Sequence, residues 1–561
     1  MFIRTKKNGP HEYLQLVNNQ RVDGQVRQRV LGTLGRRDLL EKADALGGLA
    51  ASLAKFTRRA VVLAEHHAGT AEVLSARSLG PNLVFARLWE QVGVPGVLAE
   101  LLRDRKFGFA VERALFLTVL HRLLAPATGT SDRAAEKWRE DQVIPGVEGL
   151  DLQHLYRAMA WLGEELDSSQ QTGATPFSPR CTKDLLEEAL FARQRHLFTD
   201  LSLAFFDTTS LYFEGEGGET LGQYGHSKDH RPDLKQMVVG MVLSGEGRPV
   251  CSELWPGNTT DVKTLLPVVA RLRQRFGITQ VCVVSDRGMI SDATIAALEQ
   301  EHPDLKYILG ARLRSDHEVR DTVLGWPGRY QEVHGPREQS KSPSPLQVKD
   351  VWFTAEGRDR RYVVCHNVEQ AEKDRADRAA IVAALEDQLH KGAKSLVGNR
   401  GYRKYLRCQG QSFSLDREKV RAEARFDGKW VLRTNWWSAS AADVALRYKD
   451  LWMVESIFRA TKTILETRPI YHKCDETIRG HVFCSFLALV LRKELQERLA
   501  DQGLALEWAD VVRDLEALRL VRLKSQAAEC ELRSLPQGVA GKVLQAVGVA
   551  LGPSVRFLEE E

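Results

Sequence analysis

The spacing of apolar residues changes several times along the chain. Over the first 35 residues polar and apolar positions alternate, as in Tyr13-Leu14-Gln15-Leu16-Val17 and Val26-Arg27-Gln28-Arg29-Val30-Leu31-Gly32, around Asn18-Asn19 and Asp23-Gly24. A period of two punctuated by such turn residues predicts a small β element. From about residue 81 to 198 the period becomes helical, through Leu83, Phe85, Ala86, Leu88 and Trp89, then 111–124, 152–166 and 185–197, with breaks at Pro95, Pro126 and Pro179. Four or more helices are expected there.

From Leu201 the texture turns β/α. Strands are expected at 203–207, 236–243 and 249–255, then a helix at 262–275 opened by Asp261, a buried run at 281–286, a helix at 292–301 and a strand at 307–309. Three hairpin-linked strands followed by alternating helices and strands is an RNase H-like order. A Ser/Pro linker at 340–345, a strand at 362–365, a charged helix at 371–390 and a strand at 429–433 follow. This stretch of roughly 120 residues is too long for a loop and reads as an insertion. Helical stretches at about 441–466 and 477–499 close the core, and a helix at 508–520 precedes an acidic tail.

The expected fold is a multidomain α/β protein. Its RNase H-like core, a mixed five-stranded sheet with flanking helices, is interrupted by a β-rich insertion and preceded by a helical domain. The boundaries read as a basic β element at 1–75, a helical DNA-binding domain at 76–200 and core segments at 201–312 and 437–500. The insertion spans 313–436, and a C-terminal helical region at 501–561 is a candidate for dimerisation.

Composition narrows the class. With 43% hydrophobic and 27% charged residues the chain has the balance of a soluble globular protein. No apolar run approaches the ~20 residues needed to span a bilayer, and Met1–Lys7 precedes no apolar stretch of the secretory kind. Eight dispersed cysteines without a C-x-x-C pair suit reduced thiols in a cytosol. A cytoplasmic protein is expected. Net charge is +5, but residues 1–60 alone carry 12 Lys/Arg against 5 Asp/Glu, so the positive field sits at the N-terminus. That segment is either a phosphate-contacting element or a solvated basic arm.

Asp207 and Asp286 each end an apolar strand in this reading, where α/β sheets usually form ligand sites. Paired carboxylates suit phosphodiester chemistry because Mg²⁺ or Mn²⁺ prefers oxygen ligands, and two such ions can activate an attacking oxygen and stabilise a leaving one. Further on, Tyr448, Glu455 and Lys462 recur seven apart on one face of the expected helix. In this setting the chain resembles the insertion-sequence DDE transposases of the cut-and-paste group, whose signature is Y-x-x-R-x-x-x-E-x-x-x-x-x-x-K. Leu451 stands where the signature has Arg. The order Asp, Asp, Glu, with 79 positions and then 169 between them, also fits that group. So do Tyr224–Asp233, Pro256–Asp261 and Asp286–Met289, and the resemblance runs from about residue 200 to 490.

The resemblance implies that Asp207, Asp286 and Glu455 are catalytic metal ligands for Mg²⁺, with Mn²⁺ as substitute and two ions per site when DNA is bound. It also implies that Tyr448 and Lys462 contact the backbone of the transposon end, and that the protein is prokaryotic and nucleoid-associated. Trp452 and Arg459 on the same helix join them as DNA-contact candidates. His226, Lys228, His230 and Arg231 gather in a polar loop that is either a basic lip for phosphates or a solvated turn. Arg287 either steadies a scissile phosphate or makes a structural ion pair. Trp255, Trp430, Trp436, Trp437 and Trp452 serve either as base-stacking faces or as core.

The implied reaction is cleavage at the element end by water, attack of the freed 3′-OH on the opposite strand to give a hairpin, reopening, and joining of the 3′-OH to target DNA. Its partners would be double-stranded transposon ends and target, bound by a homodimer, with neither membrane nor nucleotide cofactor. Gly215-Glu216-Gly217-Gly218 lacks the Lys-Ser/Thr of a phosphate loop, and Glu65-His66-His67 lacks zinc-protease spacing. The rivals are a nuclease of the same fold that only hydrolyses and a domesticated DNA-binding protein.

Overall fold

The computed structural model describes residues 2–22, 25–42, 45–46, 71–124, 131–172, 174, 178–194, 203–278, 282–289, 291–333, 346–391, 404–409, 412–459, 470–525 and 529–558. The chain divides into two units. One comprises Met1–Arg77, Leu518–Leu535 and Leu551–Glu561, and the other Ser78–Ala517 with Pro536–Ala550.

The first unit opens with β1 (Phe2–Asn8), β2 (His11–Val22) and β3 (Gln25–Arg36), an antiparallel meander. Gly9, at φ +61°, takes the left-handed turn between β1 and β2. The Asn18-Asn19 pair is not a turn. It lies inside β2, with Asn18 opposite Arg29 and Asn19 opposite Gln28, because cross-strand pairing continues through it. Asp23-Gly24 lies outside the described residues, while Val22 and Gln25 on either side are paired. Arg4, Gln15 and Gln28 hydrogen-bond across the three strands, so polar ladders organise one face of this sheet. A fourth strand, β4 (Ala71–Ser78), ends the N-terminal part of the unit.

The second unit begins as expected with helices: α1 (Gly80–Val92), α2 (Val94–Leu101), α3 (Val111–Leu124), α4 (Asp132–Trp138), α5 (Leu152–Gly163) and α6 (Thr182–Arg193). The chain then enters β5 (Leu203–Tyr212), β6 (Gln236–Ser244) and β7 (Pro249–Pro256), helix α7 (Leu265–Arg275), β8 (Cys282–Ser285), α8 (Asp292–Glu301) and β9 (Lys306–Gly310). The first turn of the expected 262–275 helix is a separate 3-10 turn at Asp261–Lys263. In the sheet these strands lie in the order β7-β6-β5-β8-β9. The first three are antiparallel, and β5, β8 and β9 run parallel.

The expected five-stranded sheet is extended. After β9 come β10 (Gln331–Val333), β11 (Leu346–Ala355), β12 (Arg358–Asn367), the 24-residue helix α9 (Val368–Lys391), the hairpin β13 (Leu406–Gln409) and β14 (Ser412–Leu415), α10 (Arg417–Ala424) and β15 (Lys429–Thr434). Strand β15 pairs antiparallel with β9, Leu432 opposite Gly310 and Thr434 opposite Ile308, so the sheet has nine strands in the order β10-β11-β12-β15-β9-β8-β5-β6-β7. Among the described residues, the region read as β-rich also holds α9, α10 and a six-residue π-helix at Glu318–Val323. Its Ser/Pro linker at 340–345 lies outside the described residues.

One face of β5–β9 buries Phe206, Val242, Val283 and Leu309 against Val268, Leu272 and Leu298 of α7 and α8. On the other face Leu211, Met237, Val239 and Leu254 meet Ile478 and Val482 of α13 (Asp475–Asp501). Burial on both sides explains why β6 reads as an apolar run without alternation; each such side chain contributes about 1.5–3 kcal/mol. Helix α13 also packs on α5, where a Cβ at Gly163 or Gly480 would collide with the facing backbone.

The described part of the expected 441–466 helix is two helices, α11 (Ala441–Lys449) and α12 (Trp452–Arg459); 460–466 lie outside the described residues. The Leu451 N–H reaches Tyr448 O and the Val454 N–H reaches Leu451 O, i to i−3 bonds that tighten the turn and break the single face. Likewise the 508–520 helix stops early, as α14 (Trp508–Glu516). Arg519-Leu520-Val521-Arg522-Leu523 then alternates as β16 (Arg519–Ser525), followed by β17 (Glu529–Arg533), α15 (Ala540–Val547) and β18 (Val555–Leu558). The C-terminal region read as helical therefore holds three strands, which complete the first unit as a sheet ordered β18-β17-β16-β4. Among the described residues, no helix is long and apolar enough to cross a membrane.

Candidate active site

Phe205 and Phe206, successive and both fully buried, show that β5 is covered on both faces. In the parallel pair β5·β8, Phe206 stands opposite Ser285, and one step further lie Asp207 and Asp286. The two carboxylates thus share one end of β8. Asp207 does not end its own strand: β5 continues to Tyr212 because 208–212 pair with β6.

Asp207 accepts a hydrogen bond from the Thr208 N–H at 2.7 Å. Burial pushes its carboxyl up to about 7. Lys228 and the Thr208 N–H pull the other way, and Asp286 and Asp261 add to the rise. Next to it, the Thr208 hydroxyl donates to Asp261 Oδ1 at 2.7 Å. Lys228 Nζ lies 2.8 Å from Thr208 O, 3.0 Å from Thr208 Oγ1 and 3.2 Å from Asp261 Oδ2. Asp261 also faces the turn after Asp286, where a Cβ at Gly288 would sit 3.1 Å from Asp261 Oδ2. On the other side, the Tyr448 hydroxyl donates to Asp286 Oδ1 at 2.8 Å.

Asp286 and Tyr448 border a cavity of about 550 Å³ that reaches Arg378, Lys404, Phe426 and Trp430. The Trp430 Nε1 is buried without a hydrogen-bond partner among the described residues.

Glu455 sits on α12, which packs against β5, the strand of Asp207. It lies on the exposed face of α12, while Val454 and Phe458 are buried. Among the described residues, Asp207, Asp286 and Glu455 do not form a group whose oxygens all lie within 4.8 Å of one another. Leu451, in the place of the signature Arg, is buried and packs rather than facing solvent. Lys462 and the Arg287 side chain lie outside the described residues. Trp452 and Arg459 are exposed, as is His226. Arg231 is held by Asp233 and stacks over the Tyr212 ring. Trp255 is core, and Trp437 is half exposed.

The described residues do contain one His/Asp group that tight: Asp132, His472 and His481. Arg122, wholly buried, puts its guanidinium 2.8 Å from His481 Nδ1 and 3.5 Å from Asp132 Oδ1. A fixed cation already fills that place, so the group is an ion-pair network rather than a metal centre. By contrast Asp207, Asp286 and Glu455 offer only carboxylate oxygens, the donor type that fits Mg²⁺ or Mn²⁺.

Asp261 is the residue that sequence reasoning did not place here. It stood out only as a helix opener within Pro256–Asp261, and no local pattern ties it to Thr208, 53 positions away.

Residues 199–491, more than half of the chain, match the family described as "Transposase DDE domain", and residues 3–66 match "IS1634 family transposase, N-terminal domain". No curated protein matches. Among solved structures, the chain is similar to the piggyBac transposase synaptic complex with hairpin DNA, at 11% identity and TM-score 0.36 over 78% of this chain and 79% of that one. It is also similar to the Mos1 transposase paired-end complex, at 14% identity and TM-score 0.15 over 36% of this chain and 61% of that one.

Proposed function

The chain belongs to the family of transposases with a DDE domain, enzymes that cut and join DNA with divalent metal ions, and from that premise we propose that it excises its own element. In this reading it binds the terminal inverted repeats as a homodimer, cleaves at the element ends through a hairpin, and joins the 3′ ends to target DNA in a prokaryotic cytoplasm. The observation that carries the reading is the side-by-side placement of Asp207 and Asp286 one step beyond Phe206 and Ser285.

Asp207, Asp286 and Glu455 hold Mg²⁺, two ions when DNA is present. Bound there, the ions supply charge stabilisation for in-line phosphoryl transfer, so one site can serve hydrolysis and strand transfer. Tyr448 keeps the Asp286 carboxylate turned toward the site. Glu455 reaches the site from α12, which packs on β5 through the buried Val454 and Phe458 beside it. Exposed Trp452, Arg459 and His226, with Arg231, Arg287 and Lys462, contact the end, while Lys228 is turned inward onto Thr208 and Asp261. The strand order β7-β6-β5-β8-β9 supports an RNase H-like core. The cavity between Asp286 and Trp430 has room for one nucleotide turned out of the duplex, which supports the hairpin route. The basic N-terminal residues hold phosphates.

The test is to incubate the full chain and Mg²⁺ with duplexes that carry the DNA flanking its own gene. Nicks at the element border, a hairpin on denaturing gels and joined products are expected. Nicking without any joined product would favour a nuclease, and no metal-dependent cutting would remove the reading.

A further inference from the structure

We infer that Asp261 is a positioning residue for the catalytic pair, acting through Thr208 and Lys228 to fix the direction of the Asp207 carboxylate. The inference rests on the reading of Asp207 and Asp286 as metal ligands.

Three side chains from separate parts of the chain form a closed ring. The Thr208 hydroxyl donates its one proton to Asp261 Oδ1 and accepts from Lys228, and Lys228 also donates to Thr208 O and pairs with Asp261 Oδ2. Two ammonium protons thus go to Thr208, the charge is paired with Asp261, and the single hydroxyl proton has a partner. The ring can close in only one arrangement of Thr208: its hydroxyl must face Asp261, and its carbonyl must face Lys228. With side chain and carbonyl pinned, the Thr208 N–H has one direction left, and it points at Asp207 Oδ1, 2.7 Å away. Lys228 is anchored a second time, by its own N–H to Ser210 Oγ at 2.8 Å, so the loop that carries it is registered on β5.

Asp261 also reaches the other half of the site. Its Oδ2 lies where a side chain at position 288 would begin, so the turn that follows Asp286 packs on the same carboxylate that closes the ring. One carboxylate therefore touches both Thr208 on β5 and the turn that follows β8. Partners outside the ligand shell that orient metal-binding carboxylates have this kind of effect on affinity.

The charge-neutral variant Thr208→Val opens the ring without altering any ionisable group, and Thr208→Ser keeps it closed. With the full chain and no DNA, Mn²⁺ binding is followed by the loss of the free-ion paramagnetic resonance signal. Cleavage of an element-end duplex is measured separately across Mn²⁺ concentrations. Thr208→Val and Asp261→Asn are each expected to weaken Mn²⁺ binding about 10-fold, Thr208→Ser to stay within about twofold, and the double variant to be no worse than the poorer single one. Wild-type Mn²⁺ affinity in Thr208→Val, or losses that multiply in the double variant, would overturn the inference. If Thr208→Val does not fold, the near-isosteric Asp261→Asn decides alone: wild-type Mn²⁺ affinity there overturns it. Asp286→Ala separates the two levels. If that variant binds Mn²⁺ and cuts like the wild type, the site reading itself fails; if it loses both while Asp261→Asn keeps both, only the positioning role fails.

Discussion

The Tyr448 hydroxyl donates to Asp286 Oδ1 at 2.8 Å although 162 positions of chain separate the two residues. A tyrosine from a helix is thereby bonded to the carboxylate at the end of β8. In Tyr448→Phe the ring stays and the bond goes. We expect cleavage about 10-fold slower, with folding stability lowered by only about 1 kcal/mol. Comparing the cleavage rate with the melting temperature checks this, and a variant that cuts at the wild-type rate contradicts it.

Asp207→Ala, Asp286→Ala and Glu455→Ala are each expected to abolish strand cleavage while sparing binding to the ends, since none is needed to hold the duplex. Gel-shift and nicking assays on the same DNA separate the two effects. Wild-type cleavage by any one of them would remove that residue from the metal site.

The neighbouring placement of Asp207 and Asp286 was legible because buried strands announce themselves as apolar runs, and the chain at Phe206-Asp207 and Ser285-Asp286 breaks from such a run into charge. The order of β5–β9 was readable for the same reason. What the sequence hid was set by distant contacts. Asp261 is tied to the site by a side-chain bond to Thr208, which no periodicity records. The split between α11 and α12 comes from two i to i−3 bonds around Leu451, in a stretch whose composition suits an unbroken helix. The strand at 519–525 alternates too, but its first residues also continue the helical pattern that precedes it.

Stability should depend on pH through His121. Burial lowers its imidazole from the usual 6.5 to about 4, the nearby Asp132 opposing and Arg122 assisting. Between those values the unfolded chain takes up a proton that the folded chain refuses, so stability falls as pH drops from 6.5 to 4, by roughly 3 kcal/mol in all. Below pH 4 this contribution is fully lost. His121→Leu should lack it. Urea midpoints of both proteins at pH 7 and pH 5 give the test: equal shifts would contradict the assignment. Glu187, raised by burial, acts with the opposite sign but is common to both proteins.

Arg122 ties α3 to α13 through Ser485 Oγ at 2.9 Å, His481 Nδ1 at 2.8 Å and the His481 carbonyl, and it faces Asp132 from α4. Replacing it by Met leaves Asp132 buried without its arginine. A loss of about 3–5 kcal/mol is expected, read as a lower unfolding midpoint. An unchanged midpoint would mean that the network contributes nothing net.

Deleting residues 1–60 removes 12 Lys/Arg and 5 Asp/Glu. Affinity for element ends should drop, and the plot of log affinity against log salt should flatten by about 0.9 for each phosphate that the shortened chain no longer neutralises. An unchanged slope would mark the segment as a solvated arm.

The pairing of β15 with β9 makes residues 313–436 inseparable from the sheet they interrupt. An insertion carried on two hinges can be trimmed away, but this one is woven in. Excising it would strip β9 of its neighbour and leave a bare row of N–H and C=O groups on an apolar strand, an invitation to stick to the next molecule. A minimal version of this enzyme therefore cannot be made by subtraction; a shortened descendant would need a replacement strand before it needed anything else.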